Sequence, residues 1–133
     1  MSIPDGIICS INSESISKKE HIFFKQTNPL GFILFSRNFN NKRQLIDLIN
    51  ELKNLTLNKS PFIFIDQEGG RVQRLKNSNF TTFPEQSFFG ELYKKNKEKS
   101  KKLSYLNAYL LANELKNVGI DINFSPEIGR AHV

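Results

Sequence analysis

Pro61-Phe62-Ile63-Phe64-Ile65-Asp66-Gln67-Glu68-Gly69-Gly70-Arg71-Val72-Gln73-Arg74 is the stretch from which the fold is read. Its first half is four bulky apolar residues in a row, two of them β-branched. Such a run suits a strand buried on both faces, as in a parallel sheet. The run ends abruptly in carboxylates, an amide, two glycines and two arginines. In α/β folds ligands bind at the carboxyl ends of parallel strands, so this polar cluster stands where recognition or chemistry is expected.

Outward from this strand the chain alternates. Upstream, Gly6 to Ile11 reads as a short apolar strand. Ser17-Lys18-Lys19-Glu20 has the form of a capping box opening a short helix to about Gln26. Asn28-Pro29 punctuates the connection, and Gly31 to Phe35 forms a second strand ending at Ser36-Arg37-Asn38. Asn40 or Asn41 can cap the next helix, whose apolar face is Leu45, Leu48, Ile49, Leu52 and Leu55. Downstream, Lys76 to Leu92 reads as a long loop around Pro84, of the kind that is often functional. A third long helix follows with Leu103, Leu106, Leu110, Leu111, Leu115 and Val118 on its apolar side, and Gly119 as its terminator. Ile120 to Phe124 reads as a fourth strand, before Ser125-Pro126. Strands alternating with helices predict parallel pairing. A doubly wound sheet and an incomplete (β/α) barrel both satisfy the pattern.

Composition narrows the class. The chain has 133 residues, enough for one domain with a core. Its formal charge of +6 is local: Lys94 to Lys102 holds six lysines and one glutamate. Without interleaved aromatics or a reading motif this run predicts a solvated helix start and no nucleic-acid partner. The single cysteine, Cys9, stands among Ile7, Ile8 and Ile11 and reads as a buried structural thiol. No signal peptide and no membrane span are read, which makes a cytoplasmic protein the default.

Two chemical readings of the polar cluster stand side by side. Asp66 and Glu68, if extended, face the same side roughly 7 Å apart, within the range of glycosidase carboxylate pairs. In the other reading Glu68 pairs with Arg71 or Arg74 and serves structure. Asp66 with Arg74 also has the chemistry of a polar clamp, since a carboxylate accepts two hydrogen bonds from vicinal hydroxyls and a guanidinium donates in a planar fork. Gly69-Gly70 allows a sharp turn and close backbone approach. No phosphate-loop signature accompanies them.

Asp66-Gln67-Glu68-Gly69-Gly70-Arg71-Val72-Gln73-Arg74 resembles the signature of the bacterial β-N-acetylhexosaminidases of glycoside hydrolase family three, the cytoplasmic enzymes of peptidoglycan recycling. Gly31 to Asn38 is similar to the family's second strand, and Phe83-Pro84 with Ser87-Phe88 to the loop after the signature. Ala112 to Leu115 and Gly119 to Pro126 are similar to the helix and strand that follow. The resemblance implies the N-terminal half of a (β/α)8 TIM-type barrel, truncated after about the fourth strand. It implies that Asp66 and Arg74 bind a non-reducing N-acetylglucosamine of muropeptides, with no cofactor and no metal. It assigns catalysis to neither Asp66 nor Glu68. The family's nucleophile is an Asp in a Ser-Asp-Asp segment, and its acid/base a His after a Lys-His pair. Neither motif occurs here, and His21 and His132 stand in other contexts. The alternatives are a non-catalytic carbohydrate-binding protein or a pseudogene product. Residues 1–126 are therefore read as part of the barrel domain. Ile128 to Val133 matches the translation of a common sequencing adapter, so residues 127–133 are read as a non-native tail in which Arg130 and His132 have no site role.

Overall fold

The computed structural model describes residues 5–56, 60–76 and 79–126. The tail read as non-native lies outside the described residues. The apolar runs become the strands of one parallel sheet: β1 (Asp5–Ser10), β2 (Pro29–Leu34), β3 (Phe62–Ile65) and β6 (Ile122–Asn123), in the order β1-β2-β3-β6. Between β3 and β6 the chain forms a separate antiparallel pair, β4 (Gln67–Gly69) with β5 (Val72–Gln73). The registers Leu34↔Ile65 and Ile65↔Asn123 bring the carboxyl ends of β2, β3 and β6 level. Phe35, Asp66 and Phe124 therefore emerge together along one edge.

Helix α1 (Lys18–Thr27) starts at the capping box. The Ser17 hydroxyl accepts from the Glu20 amide, and the Glu20 carboxylate accepts from the Ser17 amide at 2.9 Å and the Asn12 amide at 2.8 Å. Burial pushes the Glu20 carboxyl up, but the hydrogen bonds from Ser17 and Asn12 outweigh it and leave the group below its ordinary value. Helix α2 (Lys42–Leu55) is capped by Asn41, and all five residues of its apolar face are buried. They pack with Phe32, Leu34, Ile63 and Ile65 in one core. Asp121 ties this layer to the sheet: its carboxylate accepts from the Ile63 amide at 2.9 Å and pairs with Lys53 at 3.1 Å.

Three expectations change. The long loop ends early, because α3 (Gln86–Lys95) begins at Gln86. Phe89 is its one buried side chain, and the helix is held against α4 (Lys97–Val118), with the Ser100 hydroxyl donating to the Phe89 carbonyl at 2.7 Å. Asn96 caps α4, and the lysines of the run are exposed. On α4 itself Leu111, Leu115 and Val118 are buried and Leu103 half-buried, whereas Leu106 and Leu110 are exposed beside Tyr105 and Tyr109. The helix buries one narrow strip against α2 and the sheet and leaves its next face uncovered. Finally, Cys9 is half-buried and Ile7 and Ile8 are exposed, because β1 is an edge strand. Burial still raises the Cys9 thiol above its ordinary value.

Candidate functional site

Asp66 is the first residue beyond β3, at the carboxyl edge of the sheet. Its Oδ2 lies 3.1 Å from Arg74 Nη2, and both side chains are half-buried. Eight residues separate them in sequence, so the pairing depends on how the chain doubles back. Gly69 and Gly70 both have positive φ, 97° and 57°, which L side chains rarely adopt. A Cβ at Gly69 would run into the Pro84 carbonyl, and one at Gly70 into the Glu85 side chain. The two glycines thus make the turn between β4 and β5 and let the Gly70 amide reach the Phe83 carbonyl at 2.8 Å.

Two buried glutamines hold the returning strand. Gln67 Oε1 accepts from the amides of Arg74 at 2.8 Å and Leu75 at 3.0 Å, and its Nε2 donates to the Leu75 carbonyl. Gln73 Nε2 donates to the carbonyls of Leu75 and Thr81, and its Oε1 accepts from the Phe83 amide. Side-chain amides offer a donor and an acceptor at once, so each glutamine replaces a missing stretch of sheet ladder. On the other side Asn123 grips the Gln67 peptide in both directions at 2.9 Å, tying the residue after Asp66 to β6. Glu114 on α4 accepts from the Thr81 amide and hydroxyl, which pins the loop that covers the hairpin.

The carboxylate pair suggested by spacing does not form a single site. Asp66 lines an open cavity of about 450 Å3 with Asn123, Phe124, Ser125 and Pro126. Glu68 is buried, belongs to β4, and lines a different cavity of about 300 Å3 with Gly69, Arg71, Glu85, Gln86 and others. The reason is that the extended geometry assumed for residues 66–68 is broken: the chain leaves the parallel sheet after Ile65 and enters the hairpin. The structural alternative is corrected in part as well, since the carboxylate that pairs with Arg74 is Asp66 rather than Glu68. Gln67, Gln73 and Asn123 are the positioning residues that sequence reading missed. The available signal was a pair of amides inside a segment otherwise heading for burial. Among the described residues no helix is long and apolar enough to cross a membrane, and no group of three or more His, Cys, Asp and Glu could hold a metal ion.

A parallel sheet backed by helices, with an acid–guanidinium pair displayed at its carboxyl edge, defines an α/β domain whose sheet is not closed within this chain. The profile of the "Glycosyl hydrolase family 3 N terminal domain" matches residues 8–132, and the chain belongs to that family. It is 32% identical over 126 residues to a "Beta-hexosaminidase" of Thioalkalivibrio sulfidiphilus, covering 95% of this chain and 36% of the relative. A "Beta-hexosaminidase" of Haemophilus ducreyi is 37% identical over 126 residues, with 95% and 36% covered. The crystal structure of NagZ from Neisseria gonorrhoeae in complex with N-trifluoroacetyl-D-glucosamine superposes with a TM-score of 0.87 at 33% identity, covering 93% of this chain and 37% of that one. The chain thus spans little more than a third of the length of the relatives it matches.

Proposed function

We propose that this chain is the sugar-binding portion of a cytoplasmic glycoside hydrolase that releases terminal, non-reducing β-linked N-acetylglucosamine from peptidoglycan fragments. The observation that carries the reading is the Asp66–Arg74 pair, 3.1 Å apart at the carboxyl edge of a parallel sheet. Asp66 would accept hydrogen bonds from sugar hydroxyls while Arg74 donates to sugar oxygens. The glucosamine derivative bound by the gonococcal relative is of the same chemical class.

In the retaining mechanism that the family resemblance implies, a carboxylate attacks the anomeric carbon while an acid protonates the departing oxygen. Water then hydrolyses the covalent glycosyl-enzyme. Neither Asp66 nor Glu68 performs a step in that sequence. The chain carries neither the Ser-Asp-Asp nor the Lys-His motif, so by itself it should bind but not hydrolyse. Residues 1–126 are the barrel portion in this reading, and residues 127–133 a non-native tail. The test is to sequence the source DNA across the Ser125-Pro126 codons, express the longest reading frame that carries the chain, and assay a chromogenic β-N-acetylglucosaminide. Hydrolysis is expected, with kcat/KM falling at least about 100-fold in Asp66→Asn. The presence of pocket residues without a nucleophile motif favours one other reading, a non-catalytic carbohydrate-binding protein or pseudogene product. A frame ending at Val133 and a product that binds sugar without cleaving it would decide for that reading.

A further inference from the structure

Arg74 stands just beyond β5, a strand of two residues, so the hairpin ladder alone does little to fix it. Its neighbour Gln73 adds a second hold. The Gln73 side chain is buried; its Nε2 donates to the Thr81 carbonyl at 2.8 Å and its Oε1 accepts from the Phe83 amide at 3.1 Å. Both partners belong to an irregular segment, residues 79–85, outside helix and strand. Phe80 and Phe83 anchor that segment in the apolar core, with the Phe80 ring edge-on to Phe39 at 5.3 Å between centroids. Apolar packing is non-directional and does not by itself orient a peptide group. Glu114 on α4, 33 residues away in sequence, orients the one at Thr81. The Thr81 amide donates to its two carboxylate oxygens at 3.1 and 3.2 Å, and the Thr81 hydroxyl donates to Oε1. Thr81 is thus held from both sides, its N–H by a carboxylate on a long helix and its C=O by the side chain that precedes Arg74.

We propose that Glu114 is a positioning residue for the sugar clamp, fixing Arg74 through Thr81 and Gln73. The inference rests on the sugar reading above. Glu114 does not touch the clamp, and the cavity beside Asp66 is lined by other residues. The contact with Thr81 stands near the surface, Thr81 exposed and Glu114 half-buried, so its loss should leave the fold intact and act on the placement of Arg74. Small misplacements of a binding group lower the rate even when the group itself is unchanged.

The test uses the longest reading frame that carries the chain and a chromogenic β-N-acetylglucosaminide. The value of kcat/KM is measured for the parent, E114Q, R74M and the double variant. E114Q keeps the volume but sets a neutral amide where the carboxylate met the Thr81 donors, and kcat/KM should fall about 5-fold. In the R74M background the same substitution should cost less than about 2-fold, because the group it positions is gone. A staple that serves the loop alone would cost nothing in either background, and a general loosening of the fold would cost the same in both. T81V, which removes the hydroxyl, should lose part of the rate, and T81S should recover most of that loss. If E114Q does not fold, T81V carries the same cycle with R74M. Full kcat/KM in E114Q, an equal loss in both backgrounds, or T81S as slow as T81V would overturn the assignment while the parent still hydrolyses the sugar. A parent protein that does not hydrolyse it would overturn the reading above, and this inference with it.

Discussion

Gln67 carries more of the site than either charged residue it serves. Its Oε1 accepts from the amides of Arg74 and Leu75, and its own peptide is gripped by Asn123. Replacing it by leucine keeps the volume and removes the acceptor, leaving two amides at the base of the clamp unmatched. Each unmatched buried group costs about 1–3 kcal/mol. Gln67→Leu should therefore lower the unfolding free energy by about 2–4 kcal/mol in a chemical denaturation experiment. It should also weaken sugar binding, because Arg74 loses the support that places it. Asp66→Asn should behave oppositely, with a small stability change and a large loss of binding, since a half-exposed ion pair contributes only about 0–1 kcal/mol to folding. The contrast separates the residue that positions from the residue that touches. Of the two, only Asp66 was legible from the sequence, first as half of a polar clamp with Arg74 at a strand end and then through the nine-residue signature. Spacing alone offered Asp66 and Glu68 as partners, and the passage of the chain from β3 into the β4–β5 hairpin at Asp66 divides them between two cavities.

The elements form where local chemistry and tertiary demand agree. The capping box of α1 is complete, and Ser17→Ala should cost about 1 kcal/mol by thermal or chemical unfolding. Glu20, the other half of the box, has a carboxyl held below its ordinary value by the hydrogen bonds from Ser17 and Asn12. Because its folded value is depressed, its contribution is present above the unfolded carboxylate range and is lost as pH falls through the folded value. Glu20→Gln should accordingly lower stability at neutral pH, match the parent below the folded value and so flatten the acid limb of the stability profile; an identical acid limb in both proteins would contradict this. Helix α2 was readable because five apolar residues recur at helical spacing and all five are buried. Helix α3 was not read: Phe88, Phe89, Leu92 and Tyr93 recur at helical spacing, but the Pro84 and the Ser, Thr and Asn before them marked the whole stretch as loop. The hairpin β4–β5 escaped for a different reason: strands of three and two residues carry no alternation, and side-chain amides support them.

At the scale of the whole molecule the parallel sheet is open. Ile7 and Ile8 on β1 are exposed at one edge, and Tyr105, Leu106, Tyr109 and Leu110 on α4 form an uncovered apolar face. In a closed barrel the first strand pairs with the last and every helix has a neighbour on each side. The 133-residue chain alone should consequently bind a hydrophobic dye and associate at micromolar concentration. A monomeric product with a single sharp thermal transition and no dye binding would contradict that. Alternation of strands and helices made the parallel sheet legible, yet it left a doubly wound sheet and a barrel equally possible. The signature, and then the superposition on the gonococcal NagZ, favoured the barrel. What unites the three scales is the proposed sugar clamp, an Asp66–Arg74 pair held by buried amides at the carboxyl edge of that sheet. The most direct test is calorimetric titration of N-acetyl-D-glucosamine into the longest reading frame that carries the chain and into its Asp66→Asn variant. The account predicts saturable binding by the first and at least about 10-fold weaker binding by the second. Equal binding by both, or binding by neither, would contradict it.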